Sequence, residues 1–132
     1  MTATWPEWDW PDVTALVVDH LDAGLSVPVR TRVPDPRPDA WVRVQRVGGV
    51  ASGPIDTARV LVECWAAQEA DAAALAATTR DLMRRMPGTV AGYLVARVTE
   101  AGGPALIADP LTGTPRYWST FEVVVRADPA GS

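Results

Sequence analysis

Apolar and polar residues alternate along much of this chain, and two stretches switch to a helical period. Val13, Leu16, Val17, His20 and Leu21 recur at three- and four-residue spacing, which predicts a helix over 11–23. Pro11 suits a first helical position, Asp12 lies near the positive end of the dipole, and Gly24 is a stop. Ala72, Leu75, Ala76, Thr79, Leu82, Met83 and Met86 form one stripe of a second helix over 68–86, closed by Pro87-Gly88. Its alanines favour helix and allow close approach to a sheet. Strict alternation predicts strands over 27–33, 41–47, 58–65, 93–99 and 116–127. Loops are expected over 48–54 and 101–115, where Gly, Ala, Ser and Pro gather.

Between the first two strands lies Val33-Pro34-Asp35-Pro36-Arg37-Pro38. Each X-Pro step pushes its predecessor into extended geometry. The chain is therefore stiff here and enters the strand at Trp41 from a fixed direction. The element order is helix, three strands, helix, two strands, with short links between strands. That order predicts an α+β fold: a mostly antiparallel sheet of about four to five strands, with two helices packed on one face. A length of 132 residues suits a single domain. Residues 1–10 form a Trp-rich arm and 128–132 a frayed tail. Trp5, Trp8 and Trp10 either fold back over the first helix or pack on a neighbouring subunit.

Composition narrows the function classes. All twelve basic residues are Arg, and the formal charge is −4. A nucleic-acid binder carries a basic footprint, which this balance lacks. Glu7, Asp9 and Asp12 precede any basic residue, the wrong sign for a secretory signal. No apolar run approaches the ~20 residues that span a bilayer. The expectation is a protein that is cytoplasmic when made, with no membrane contact. Cys64, the single cysteine, falls in an apolar strand pattern and reads as a small core residue. His20, the single histidine, reads as a packed residue. Asp35, Asp39, Asp56 and Asp109 read as turn-forming loop carboxylates. No phosphate-cradling glycine motif, metal-ligand spacing or nucleophile–base pair is present, so no catalytic, cofactor or metal residue is assigned. Six tryptophans are many for this length. Trp41, Trp65 and Trp118 share the strands with Arg43, Arg59 and Arg116, and aromatics with Arg are what interface cores favour.

The proline crossing and Trp41-Val42-Arg43-Val44-Gln45-Arg46-Val47-Gly48-Gly49 are followed by Val62-Glu63-Cys64-Trp65-Ala66 and the Ala-rich helix. Next come Gly102-Gly103-Pro104, Asp109-Pro110-Leu111-Thr112-Gly113 and Pro115-Arg116-Tyr117. In this order and spacing, over residues 12–127, the segments resemble the tail terminator, or tail-completion, proteins of long-tailed actinobacterial phages. The resemblance implies a virion structural protein with no catalytic residue and no cofactor. Six copies would close into a ring on the head-proximal end of the tail tube, ending tube growth and presenting a surface for head attachment. The implied partners are further copies of the chain, the major tail tube protein and a head-side connector. DNA would pass through the ring without specific binding, since six copies carry about −24 in formal charge.

The interface candidates are Trp41, Arg43, Arg46, Gly48, Gly49, Arg59, Trp65, Asp109, Arg116, Tyr117 and Trp118. Arg46 and Arg59 are the candidates for the lumen, and the segments 48–56 and 101–115 for contacts with tube or connector. The alternatives are a head–tail joining ring protein and, from another class, a small cytoplasmic ligand-binding domain.

Overall fold

The computed structural model describes residues 8–129. Its elements are β1 (Trp8–Asp9), α1 (Val13–Gly24), β2 (Val29–Arg30), β3 (Ala40–Ser52), β4 (Ile55–Ala66), α2 (Glu69–Arg84), β5 (Gly88–Val90), β6 (Tyr93–Leu106), β7 (Arg116–Arg126) and β8 (Asp128–Pro129). The fold is α+β. Its main sheet has six strands in the order β2-β3-β4-β7-β6-β5, more than the four to five expected, and β1 and β8 form a separate two-stranded ladder. All neighbours in the main sheet are antiparallel except β2 and β3, which run parallel.

Both helices contribute to one core. Val13, Leu16, Val17 and Leu21 of α1 and Ala76 and Met83 of α2 meet Val42, Val44, Ala58, Val60, Val62, Phe121, Val123 and Val125 of the sheet. Asp12 caps α1, its Oδ1 accepting from the Ala15 N–H at 3.2 Å. Pro11 thus precedes the cap instead of opening the helix. In α2, Glu69 and Asp71 in the first turn and Arg84 in the last complement the dipole. His20 is a packed residue whose Nε2 donates to the Leu82 carbonyl at 2.6 Å, tying α1 to α2. Cys64 is buried, its Sγ 3.5 Å from Thr79 Oγ1.

Four expectations are corrected. The strand over 27–33 shrinks to Val29–Arg30, because the chain must turn at once into the crossing to re-enter beside itself in parallel. The loop over 48–54 is strand as far as Ser52, and only Gly53-Pro54 turn. Gly48 and Gly49, at φ +154° and +113°, absorb a bulge between Arg46 and Gly48, so the ladder continues with one extra residue. The loop over 101–115 begins only after Leu106, since Gly102-Gly103-Pro104 are taken up by register shifts within β6. The tail expected to fray is paired at its start, Asp9 facing Asp128. Trp5 lies outside the described residues.

Candidate functional site

Side chains on successive strand residues point to opposite faces. On β4, Ala58, Val60, Val62 and Cys64 face the helices, and Arg59, Leu61, Glu63 and Trp65 face the other way. Register then builds a grid on this helix-free face. Arg43, Glu63 and Trp118 align across β3, β4 and β7, and the next row holds Trp41, Trp65 and Arg116. The proline crossing runs over this grid: the Arg43 Nε donates to the Thr31 carbonyl at 3.3 Å, and Arg37 lies 5.5 Å from the Trp65 ring centre.

Glu63 is 1% exposed, and each of its oxygens accepts from a different guanidinium, Arg43 and Arg116, both at 3.3 Å. A buried carboxylate requires such compensation, because desolvation otherwise costs several kcal/mol. Arg116 also sits between two indoles, 5.1 Å from the Trp65 ring and 5.0 Å from that of Trp118. Trp41 stacks on Trp65 with centroids 5.1 Å apart. Among the described residues, the shielded indole N–H groups of Trp41, Trp65 and Trp118 meet no acceptor. An unmade hydrogen bond costs about 1–3 kcal/mol. A buried indole withdraws roughly 150–250 Å² from water, worth about 5 kcal/mol at roughly 25 cal/mol per Å². Ring area and cation–π attraction outweigh the missing bonds, so these tryptophans act as platforms.

The grid also anchors the loop after β6. Arg116 Nε donates to the Ile107 carbonyl at 2.8 Å, and Arg37 pairs with Asp109 at 3.5 Å. Asp109 organises the turn itself. Its carboxylate accepts from the Leu111 N–H at 3.2 Å and the Thr112 hydroxyl at 2.8 Å, and its carbonyl accepts from the Gly113 N–H at 2.8 Å. The Thr112 hydroxyl and the Leu111 N–H hold its pKa below the usual carboxylate value. At the tip of this braced turn Leu111 is 92% exposed.

Six of the eleven candidates therefore belong to one cluster: Trp41, Arg43, Trp65, Asp109, Arg116 and Trp118. Trp41 and Trp65 spend their surface inside the chain, at 0% and 3% exposure, and offer little of it to a neighbour. Gly48 and Gly49 lie in the far hairpin, where Arg59 pairs with Glu122 at 3.1 Å in the open. Arg46 is on the helix face and grips Asp56 through two bonds of 2.6 and 2.8 Å. That bidentate contact raises the Arg46 pKa. Asp56 is thus a buried strand residue, correcting its reading as a loop carboxylate, because the hairpin places it beside an Arg fork. Tyr117 faces the helices and lines a groove with Ala73, Ala76, Ala77, Arg80 and Pro104.

Sequence reasoning missed Glu63 and Arg37. A lone acid inside an apolar strand was the available signal for Glu63. It also missed the exposed apolar tips, Val47 and Val50 on the β3–β4 hairpin and Leu106, Ile107 and Leu111 at and beyond the end of β6. Among the described residues no group of three or more His, Cys, Asp or Glu is placed to hold a metal ion, and no helix is long and apolar enough to cross a membrane. No family model matches the chain, and no curated protein matches it.

Proposed function

We propose that this chain is a virion structural protein, a subunit of the tail terminator ring that caps the head-proximal end of a phage tail tube. One observation carries the reading: exposed apolar side chains gather at the two opposite ends of the strands. Val47, Val50 and Leu94 lie toward the β3–β4 hairpin, and Leu106, Ile107 and Leu111 toward the loop between β6 and β7. Apolar surface left outside a filled core marks contact sites. A ring stacked between two different partners needs one such surface at each end, one for the tube and one for the head-side connector. The braced Asp109 turn and the glycine-bulged hairpin suit these roles, since each presents its apolar residue on ordered backbone. The resemblance of the crossing, the Trp41 strand and the Asp109 turn to tail terminators points the same way.

Deleting the gene in its phage tests the reading. Electron microscopy of lysates should show tubes of abnormal length and heads without tails. Normal-length tails that fail to join heads would favour the joining-protein reading. Intact infectious particles would favour a free ligand-binding domain.

A further inference from the structure

We propose that neighbouring copies of this chain join edge to edge, the open edge of β3 on one copy pairing antiparallel with the open edge of β6 on the next. The inference rests on the ring reading and names the lateral contact that a ring needs. β2 covers only Val42 and Arg43 on the outer side of β3, so residues 44–52 pair only with β4 among the described residues. β5 covers only Tyr93, Leu94 and Val95 of β6, so residues 96–106 pair only with β7 among the described residues. Two long open edges thus bound the same sheet on opposite sides. Open edges offer unmade backbone hydrogen bonds to another strand.

Topology fixes the polarity of that contact. From β3 through β4 and β7 to β6 each step is antiparallel, so β3 and β6 run in opposite directions. In a head-to-tail ring every copy keeps the same orientation about the axis. The edge of β6 then meets the edge of the next β3 antiparallel, the more stable pairing. An odd number of long strands would have brought parallel edges together. Bulges bound the usable segments. The shift between Arg46 and Gly48 leaves 48–52 regular on β3, and the shifts flanking 97–100 leave that run on β6. Pro104 has no N–H to offer, which keeps the rest of β6 from zipping onto a strand. A second copy is the occupant favoured, because it supplies the partner for both edges at once and leaves a closed ring with no edge exposed.

Cross-linking tests the contact. β3 and β6 lie three strand spacings apart within one chain, about 14 Å. That exceeds the ~7 Å a disulfide can span, so any bridge between them joins two chains. Cys64 is buried and stays out of the reaction. The full chain carrying Val50→Cys with Thr99→Cys, or Val50→Cys with Arg97→Cys to allow for register, places both thiols on the helix-free face and should give on oxidation a ladder ending in a closed multimer. Each single variant should stay monomeric on a denaturing gel. Light scattering reads assembly in the same samples. Rings that give no ladder with either pair would overturn the edge contact and leave the ring reading standing. Edges that become protected from hydrogen exchange only on adding tube protein would assign them to the tube instead. Cross-linked dimers from a single variant would overturn the head-to-tail arrangement. Single chains at every concentration would overturn both.

Discussion

At one end of the helix-free face Glu63 is 1% exposed and shared between two guanidiniums. At the other, Glu122 meets Arg59 with 41% and 53% of their side chains in water. Both are Arg–Glu contacts between adjacent strands of one sheet. What differs is the cover. The proline crossing and the Asp109 turn close over the first end, and nothing described lies over the second. The closed end holds the molecule's own loops in place, and the open end leaves its side chains and strand edges uncovered among the described residues. Residue type alone does not tell a structural ion pair from a surface one, because the layer above it decides.

The sharpest test of this contrast is to remove each acid. Glu63→Ala leaves Arg43 and Arg116 facing each other under cover without a counter-charge, and should cost about 3–5 kcal/mol. Glu122→Ala removes a solvated pair and should stay within about 0.5 kcal/mol. Urea unfolding with unchanged slope reads both as midpoint shifts. Equal shifts would show that the crossing does not isolate Glu63 from water.

The hairpin at the open end gives the next effect. A Cβ on Gly49 would lie 2.1 Å from the Thr57 carbonyl oxygen and 2.8 Å from the Ala58 Cα, at a φ of +113°. The same addition at Gly48 meets nothing within 4 Å. Gly49→Ala should therefore cost about 2–4 kcal/mol, as strain plus overpacking, and Gly48→Ala about 1 kcal/mol. Equal costs would mean that the bulge moves freely along β3, and that the open end is not held in one register.

Much of this architecture was legible in the sequence, for reasons the same contrast explains. Both helices, the centres of the long strands and the shared face of Trp41 and Arg43 follow from periods of 3.6 and 2, which need no knowledge of distant residues. The parallel pairing of Val29 with Val42 was not legible, because it depends on where the crossing turns back. Gly48-Gly49 and Gly102-Gly103 signalled loops, yet inside a ladder the same glycines serve as bulges, and only the partner strand distinguishes the two uses. Five of the six clustered candidates converged because strand alternation and interface composition select the same Trp and Arg residues, and Asp109 joined them through its pair with Arg37. Whether they face inward was set by the crossing, and Arg37 gave no periodic signal that it would reach Trp65.

The smallest effect compares thiols. Burial pushes the Cys64 pKa up to about 11, while the Thr79 hydroxyl acts weakly the other way. At pH 8 few Cys64 thiols are ionised, and a thiol reagent should label Cys64 more than about 100-fold slower than a cysteine placed by Val50→Cys on the open hairpin. Val50 is 72% exposed. The shift also links to stability, and its sign follows from the raised folded-state value. The folded chain holds the thiol proton more tightly than the unfolded chain, so this contribution is complete below the ordinary thiol pKa and is lost as pH rises toward 11. Between pH 8 and pH 10 the loss should be about 1 kcal/mol. Cys64→Ala should remove that part of the slope while leaving the titration of every other group in place. Rapid labelling of Cys64, or identical slopes in the two proteins, would show that α2 does not seal the helix-covered side of the sheet.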